Sequence, residues 1–241
     1  MSASPLGARP VPNAVGDGAA RSVRHPLARA LLALTFSTGL VDAVSYLGLG
    51  RVFTANMTGN IVLLGFGIAS SEGLPVVAPL VSLGAFLAGS AIGGVLAVTT
   101  ADRHPQHVAR TLGMEIGLLL GAAIVAATAE VQPATFSGDV VIAMLALAMG
   151  VRNATVRRLA VPDLTTTVLT MTLTGLAADS RLAGGSGKGS VRRIAAVLAM
   201  LTGAFAGALL LRISFVAPLL AAAGIALLVA LAYVPFAHRE A

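Results

Sequence analysis

Residues 39–65 read GLVDAVSYLGLGRVFTANMTGNIVLLG, and residues 150–175 read GVRNATVRRLAVPDLTTTVLTMTLTG. Each stretch carries polar side chains in a membrane-length apolar segment, passes through a short polar turn, and enters an apolar segment too short to cross a bilayer. From Met57 to about Ser70 a helix would reach roughly 21 Å, against a hydrocarbon core of ~30 Å. The fold reading turns on these two short segments.

Composition sets the class around them. The chain is 56% hydrophobic and 11% charged, with a mean hydropathy of +0.90, where soluble domains carry about 25% charged residues. Apolar runs near twenty residues recur, which predicts a polytopic helical membrane protein whose first partner is the lipid bilayer. The ten-residue alternation of a membrane β-barrel is absent. The net charge of +6 resides in termini and short loops, so it argues for membrane orientation rather than nucleic-acid binding. No cysteine is present, which removes disulfides and thiolate chemistry. His104 and His107 lie three apart without a third ligand nearby, a poor metal site, and are expected in a solvated loop at 101–110. No nucleophile elbow, metal-binding histidine pair or phosphate loop is present, so neither an enzyme nor a cofactor is expected.

Residues 1–26, rich in Pro, Gly, Ala and Arg, read as a disordered cytoplasmic tail rather than a cleaved signal peptide. Residues 27–236 form a single membrane domain. Its long spans are expected near 27–49, 75–100, 111–128, 139–158, 194–211 and 215–234, the last ended by Pro235. Its short segments are expected near 57–70 and 164–178. Two repeats, about 27–130 and 137–236, align by hand. Gly39–Ala43 matches Gly150–Ala154, Asn56–Val62 matches Asp163–Leu169, and Gly84–Phe86 matches Gly203–Phe205.

Basic residues choose between six crossings and eight, because cytoplasmic loops collect Lys and Arg. If the short segments dip in and return, thirteen basics share the side of the N-terminus and only Arg51 and Arg212 lie opposite. If they cross, the split falls to nine against six. The expected fold is therefore an all-α bundle of six full spans plus two re-entrant helices, with inverted halves and a cytoplasmic N-terminus. Irregular backbone at membrane depth must be buried in protein or line a wet cavity.

The polar residues at those stations are the site candidates. Asp42 sits inside a span, where a carboxylate costs about 2.5–3.5 kcal/mol on insertion scales. It reads as a proton carrier, a cation ligand or a partner for Arg152, with a buried Asp–Arg pair that fixes packing as the plainer alternative. Arg152 and Asn153 stand near the inner end of their span, where Arg152 also has the option of snorkelling to the interface. Asn56, Thr58, Asn60 and Thr165, Thr166, Thr167 surround the starts of the short helices, whose free N–H groups hold anionic or hydrogen-bonding groups; as plain N-caps they need no ligand. Thr170, Thr172 and Thr174 extend the hydroxyl run, some bonding back to the preceding turn. Glu115 is the other intramembrane acid, a coupling candidate set in a Gly113–Gly117–Gly121 ridge. Gly89/Gly93 and Gly203/Gly207 read as equivalent packing ridges.

The combination Gly39–Ala43, Phe53 and Met57–Asn60, followed by Gly150–Ala154 and Pro162–Thr167, resembles the YoaK family of bacterial multi-pass membrane proteins over about residues 30–235. The resemblance implies a bacterial inner-membrane protein of unknown function and supplies no substrate. The residues themselves favour an ion-coupled secondary transporter or permease for a small solute, with or without homo-oligomerisation. A channel-like pore and a membrane scaffold are the alternatives.

The topology has a direct test in a chain without native cysteine. Of single cysteines at Ser71, Ala101 and Ser186, only the first should react with an impermeant reagent from outside intact cells. Labelling at Ala101 but not at Ser71 would make both short segments full crossings.

Overall fold

The structure, a computed structural model, describes residues 25–69, 73–100, 104–159 and 169–240. These form eight α-helices: α1 Pro26–Ala43, α2 Met57–Ile68, α3 Val77–Thr99, α4 His104–Thr128, α5 Phe136–Leu159, α6 Leu169–Ala178, α7 Ser190–Leu211 and α8 Val216–Glu240. A π-helical turn, Val44–Gly48, prolongs α1, and a 3₁₀ turn, Arg181–Ala183, follows α6. Six helices are long and apolar enough to cross a membrane. At ~1.5 Å per residue α2 and α6 span only about 18 and 15 Å. The protein is a polytopic helical bundle.

Two apolar layers, stacked along the bundle, fix the direction of each helix. Toward one end, Leu27 and Leu31 pack with Val108, Leu112, Val156, Val229 and Tyr233. Toward the other, Leu40 and Val44 pack with Ala78, Leu119, Val141, Leu145, Leu219 and Ala222. Thus α1 runs from the first layer to the second, α5 and α8 run back, and α3 begins where α1 finishes. The chain between α1 and α3 therefore enters the bundle and returns to the same end. Six long apolar helices and two short ones among the described residues agree with the six-span reading of the sequence.

Helix pairing follows small residues. α3 lies against α5, and α1 against α7. A β-carbon at Gly39 would stand 2.5 Å from the Met200 carbonyl oxygen and 2.6 Å from the Ala204 nitrogen, and one at Gly203 would strike the Phe36 carbonyl. On the other pair, a β-carbon at Gly150 would strike the Phe86 carbonyl and crowd the Ser90 nitrogen, and one at Gly89 would strike the Leu147 carbonyl. Gly207 meets Ala43 as Gly93 meets Ala154. Every partner on α1 is matched by one on α5 at one constant sequence offset, and every partner on α7 by one on α3. The remaining contacts also pair under the same exchange, α4–α5 with α1–α8 and α2–α3 with α6–α7.

Several expectations need correction. Gly84 faces open space; the counterpart of Gly203 is Gly89, five residues further, because contact rather than the Gly-Ala-Phe string sets the register. Gly113 and Gly117 also face open space, and only Gly121 is approached, by the Met144 side chain. α4 begins at His104, a turn and more before the expected start, so His107 is buried in the helix and not in a solvated loop. Pro105 suits a helical first turn, and Val108 and Leu112 draw that turn into the apolar layer. α8 continues through Pro235, its packing held by buried Tyr233 and Ala237 on either side.

Gly89→Ala or Gly203→Ala should each lower stability by about 1–3 kcal/mol through overpacking at backbone contact. Gly84→Ala should stay within about 0.5 kcal/mol of wild type. Thermal melting in detergent compares them, and equal melting of all three would refute the assigned register.

Candidate functional site

Side chains hold the backbone of the loop between α1 and α2, as irregular backbone at membrane depth requires. After the π turn the chain reverses at Gly50 and Arg51, whose φ values are +93° and +61°. It then runs back into the bundle as Val52–Asn56. Thr54 and Ala55 donate their N–H groups to Asp42 Oδ1 at 3.3 and 3.2 Å. Asn60 accepts from the Phe53 N–H at 2.9 Å and donates to the Phe53 carbonyl at 2.7 Å. Ser82 Oγ, on α3, accepts from Asn60 at 3.1 Å and donates to the same carbonyl at 2.6 Å. Asn56 caps α2 by accepting from the Gly59 N–H at 3.2 Å. The first turn of α2 is therefore fixed inside the bundle, level with Asp42 on α1 and Ser82 on α3. Its last turn, at Gly67, packs under Leu74–Val76 at the rim.

Two cavities meet at that first turn. One of about 910 Å³ runs along α3 and α5, lined by Asn56, Thr58, Phe86, Ser90, Asn153, Arg157 and Arg158 among others. The second, about 450 Å³, is lined by Tyr46, Phe53, Asn56, Thr58 and Gly59, with Thr170 from α6. The Tyr46 and Phe53 rings stack at 4.8 Å. Asn56 and Thr58, both exposed, form the wall between the cavities. The starts of the two short helices thus face each other across the smaller one.

A second polar centre lies in the core toward the His25 end. Arg152 on α5 forms a buried ion pair with Glu115 on α4, through Nε at 2.9 Å and through Nη2. Its Nη1 donates to the Leu34 carbonyl and Thr38 Oγ1, both at 2.8 Å, and Nη2 donates to Ser37 Oγ at 3.2 Å. One guanidinium therefore ties α1, α4 and α5 together. A desolvated pair is stable only when its remaining donors are satisfied, and here each nitrogen has a partner.

These contacts redistribute the sequence candidates. Asp42 is not paired with Arg152; it takes bonds from backbone N–H groups, while Arg152 turns to Glu115. Arg152 does not snorkel, being 2% exposed, and Glu115, 1% exposed, is not at the interface. Asn56, Thr58 and Asn153 line the larger cavity, whereas Asn60 is fully buried in the loop clamp. Asn153 also donates to the Met149 carbonyl at 2.7 Å. Thr174 bonds back to the Thr170 carbonyl as expected. Thr165, Thr166 and Thr167 lie outside the described residues. The sequence did not single out Ser37, Thr38, Ser82 or Ser90, since a lone hydroxyl in an apolar helix ordinarily bonds its own preceding turn. Arg157 and Arg158, which count among the basic residues that argue for topology, also stand on the cavity wall.

Comparison with known proteins adds membership but no chemistry. Residues 30–232 match the family described as Protein of unknown function (DUF1275). The chain is similar to the UPF0700 transmembrane protein YoaK of Bacillus subtilis (strain 168), 35% identical over 148 residues, which are 61% of this chain and 64% of that protein. The match thus spans a little under two thirds of that relative's length. No solved structure matches the chain.

Glu115→Ala or Arg152→Ala should each cost about 3–5 kcal/mol, because each leaves an unpaired buried charge. The Glu115→Ala/Arg152→Ala double variant should cost less than the sum of the single losses. Chemical denaturation in detergent measures the cycle; strict additivity would show that the pair contributes nothing.

Proposed function

Because the chain belongs to the DUF1275 family of proteins of unknown function, we propose its role from geometry: an ion-coupled secondary transporter for a small solute. The observation that carries this reading is that the first turns of two short helices line one cavity of about 450 Å³, which adjoins another of about 910 Å³. Discontinuous helices whose starts converge at a site between repeats are a common build among secondary transporters. The matched contacts of α1–α7 and α3–α5 support an inverted duplication, the arrangement such transporters use.

The solute site in this reading is the cavity wall. Asn56, Thr58 and Asn153 supply hydrogen-bonding groups, Ser90 adds a hydroxyl, and Phe86 gives an apolar surface. Pockets of this kind bind by shape with a few placed polar groups. Asp42 is the coupling carboxylate. It stands directly behind Ala55, a wall residue, and its acceptor bonds to Thr54 and Ala55 weaken when a proton or cation takes its charge. Loading Asp42 thereby loosens the backbone that sets the position of Asn56 and Thr58. Arg152 and Glu115 neutralise each other and serve as the fixed frame. No bond-making chemistry is assigned; the protein moves its solute unchanged. In the proposed orientation the N-terminus is cytoplasmic and the membrane is the bacterial inner membrane, placing Arg157 and Arg158 at the cytoplasmic mouth.

Purified protein in proteoliposomes, screened against a solute panel under an imposed pH gradient, tests this reading. A transported solute should move saturably, and Asn56→Ala or Thr58→Ala should slow it about tenfold, the scale of one lost hydrogen bond. Asp42→Asn should abolish gradient-driven accumulation, and full retention would remove Asp42 from coupling. A large ohmic conductance in planar bilayers would identify a pore instead. No flux with any solute, together with destabilisation by Asp42→Ala, would identify a scaffold.

A further inference from the structure

The bundle divides into a core and two arms. α1, α4, α5 and α8 share the two apolar layers and the Arg152–Glu115 centre. α2 and α3 form one arm, joined through Ser82, Asn60 and Phe53. α6 and α7 form the other, joined where Arg193 donates to the Gly175 carbonyl and pairs with Asp179 at 2.8 Å. The first arm rests on α5 through Gly89, Gly93 and Gly150, and the second rests on α1 through Gly203, Gly207 and Gly39. These seams are backbone against backbone. At these glycines no side chain stands between the two helices, so the crossing is a point about which an arm can tilt on its core helix.

The two seams are alike in contact but differ in state. Beside the first, Asn153 and Ala154 are half-buried on the large cavity, and Arg157 is exposed. At the matching positions beside the second, Asp42 and Ala43 on α1 are buried, while Tyr46 and, on α7, Ala204 and Ala208 are half-buried. The core helices differ in the same sense: α1 ends in a π turn at Val44–Gly48, whereas the matching residues of α5, 155–159, are α-helical. Single π turns mark sites of functional adjustment in helices.

We propose that the molecule has a second conformation in which the halves trade these geometries. The α2–α3 arm closes on α5, the α6–α7 arm tilts away from α1, and a cavity opens between α1 and α7 at the opposite end. Its wall is formed by Asp42, Tyr46, Ala204 and Ala208, the counterparts of Asn153, Arg157, Ser90 and Gly94. Asp42, bonded to Thr54 and Ala55, is the latch that holds this face shut. The α1 π turn relaxes to α-helix as the face opens. This deepens the transport reading and rests on it, since exchange of access between two ends is what carries a solute across.

Single cysteines at Ala154 and at Ala208, in the otherwise native chain, test the exchange. Both are probed with an impermeant maleimide in right-side-out and everted vesicles. Ala154→Cys should label rapidly from the face at the α5 C-terminus. Ala208→Cys should label only from the opposite face, about 10- to 1000-fold more slowly if that state is a minor one. Adding Asp42→Asn should raise labelling at 208 and lower it at 154, each by on the order of tenfold, the scale of lost charge-assisted bonds. The two otherwise native cysteine variants carry the test by themselves if Asp42→Asn fails to fold. A position 208 that never labels, or that labels from the same face as 154, overturns the exchange. If solute flux persists in that case, transport stands and only the assigned movement falls; if flux is also absent, both fall.

Discussion

Two close helix crossings organise this bundle, because lipid gives helices no hydrophobic reason to associate. Contact in a bilayer comes from van der Waals packing and interhelical hydrogen bonds, so backbones must approach closely. Gly39 with Gly203, and Gly89 with Gly150, allow that approach, and a methyl group at any of the four would enter a neighbouring backbone atom. Once α3 lies on α5 and α1 on α7, the remaining spans have few places left. α4 and α8 fill the space against both core helices, and the short helices are left beside the arms that carry them.

The re-entrant loop depends on that frame. Its backbone lies at a depth where an unpaired N–H costs several kcal/mol, and Asp42, Asn60 and Ser82 provide its partners. Structural and functional readings of Asp42 converge for that reason. Bonded to the loop beside a cavity, this carboxylate is an anchor when charged and, in the transport proposed above, a release when neutralised. Asn60 has no such second use, since both ends of its amide are engaged with Phe53.

The interior is less symmetric than the seams. Arg152, Ser37 and Thr38 form a polar centre toward the His25 end, whereas the matching positions Val41, Ala148 and Met149 lie in the apolar layer toward the other. Both ends of the core are tight, one through an ion pair that draws three helices together and one through close apolar packing. In the exchange proposed above the moving parts lie at the edges, where glycines bring the helix backbones together.

The sequence by itself determined the class, the number of spans and the two short helices, because length against bilayer thickness and the distribution of Arg are one-dimensional properties. It also held the Gly39–Ala43 and Gly150–Ala154 match, since a small-residue spacing survives in the string. Only the tertiary structure decided which charges meet. Asp42 and Arg152 looked like partners, and Glu115, from a third helix, took the arginine because helix rotation and depth, invisible along the chain, set the distance. The same limit placed Gly84 where Gly89 belongs: a Gly-Ala-Phe string recurs by composition, while a seam is defined by the backbone on the other side.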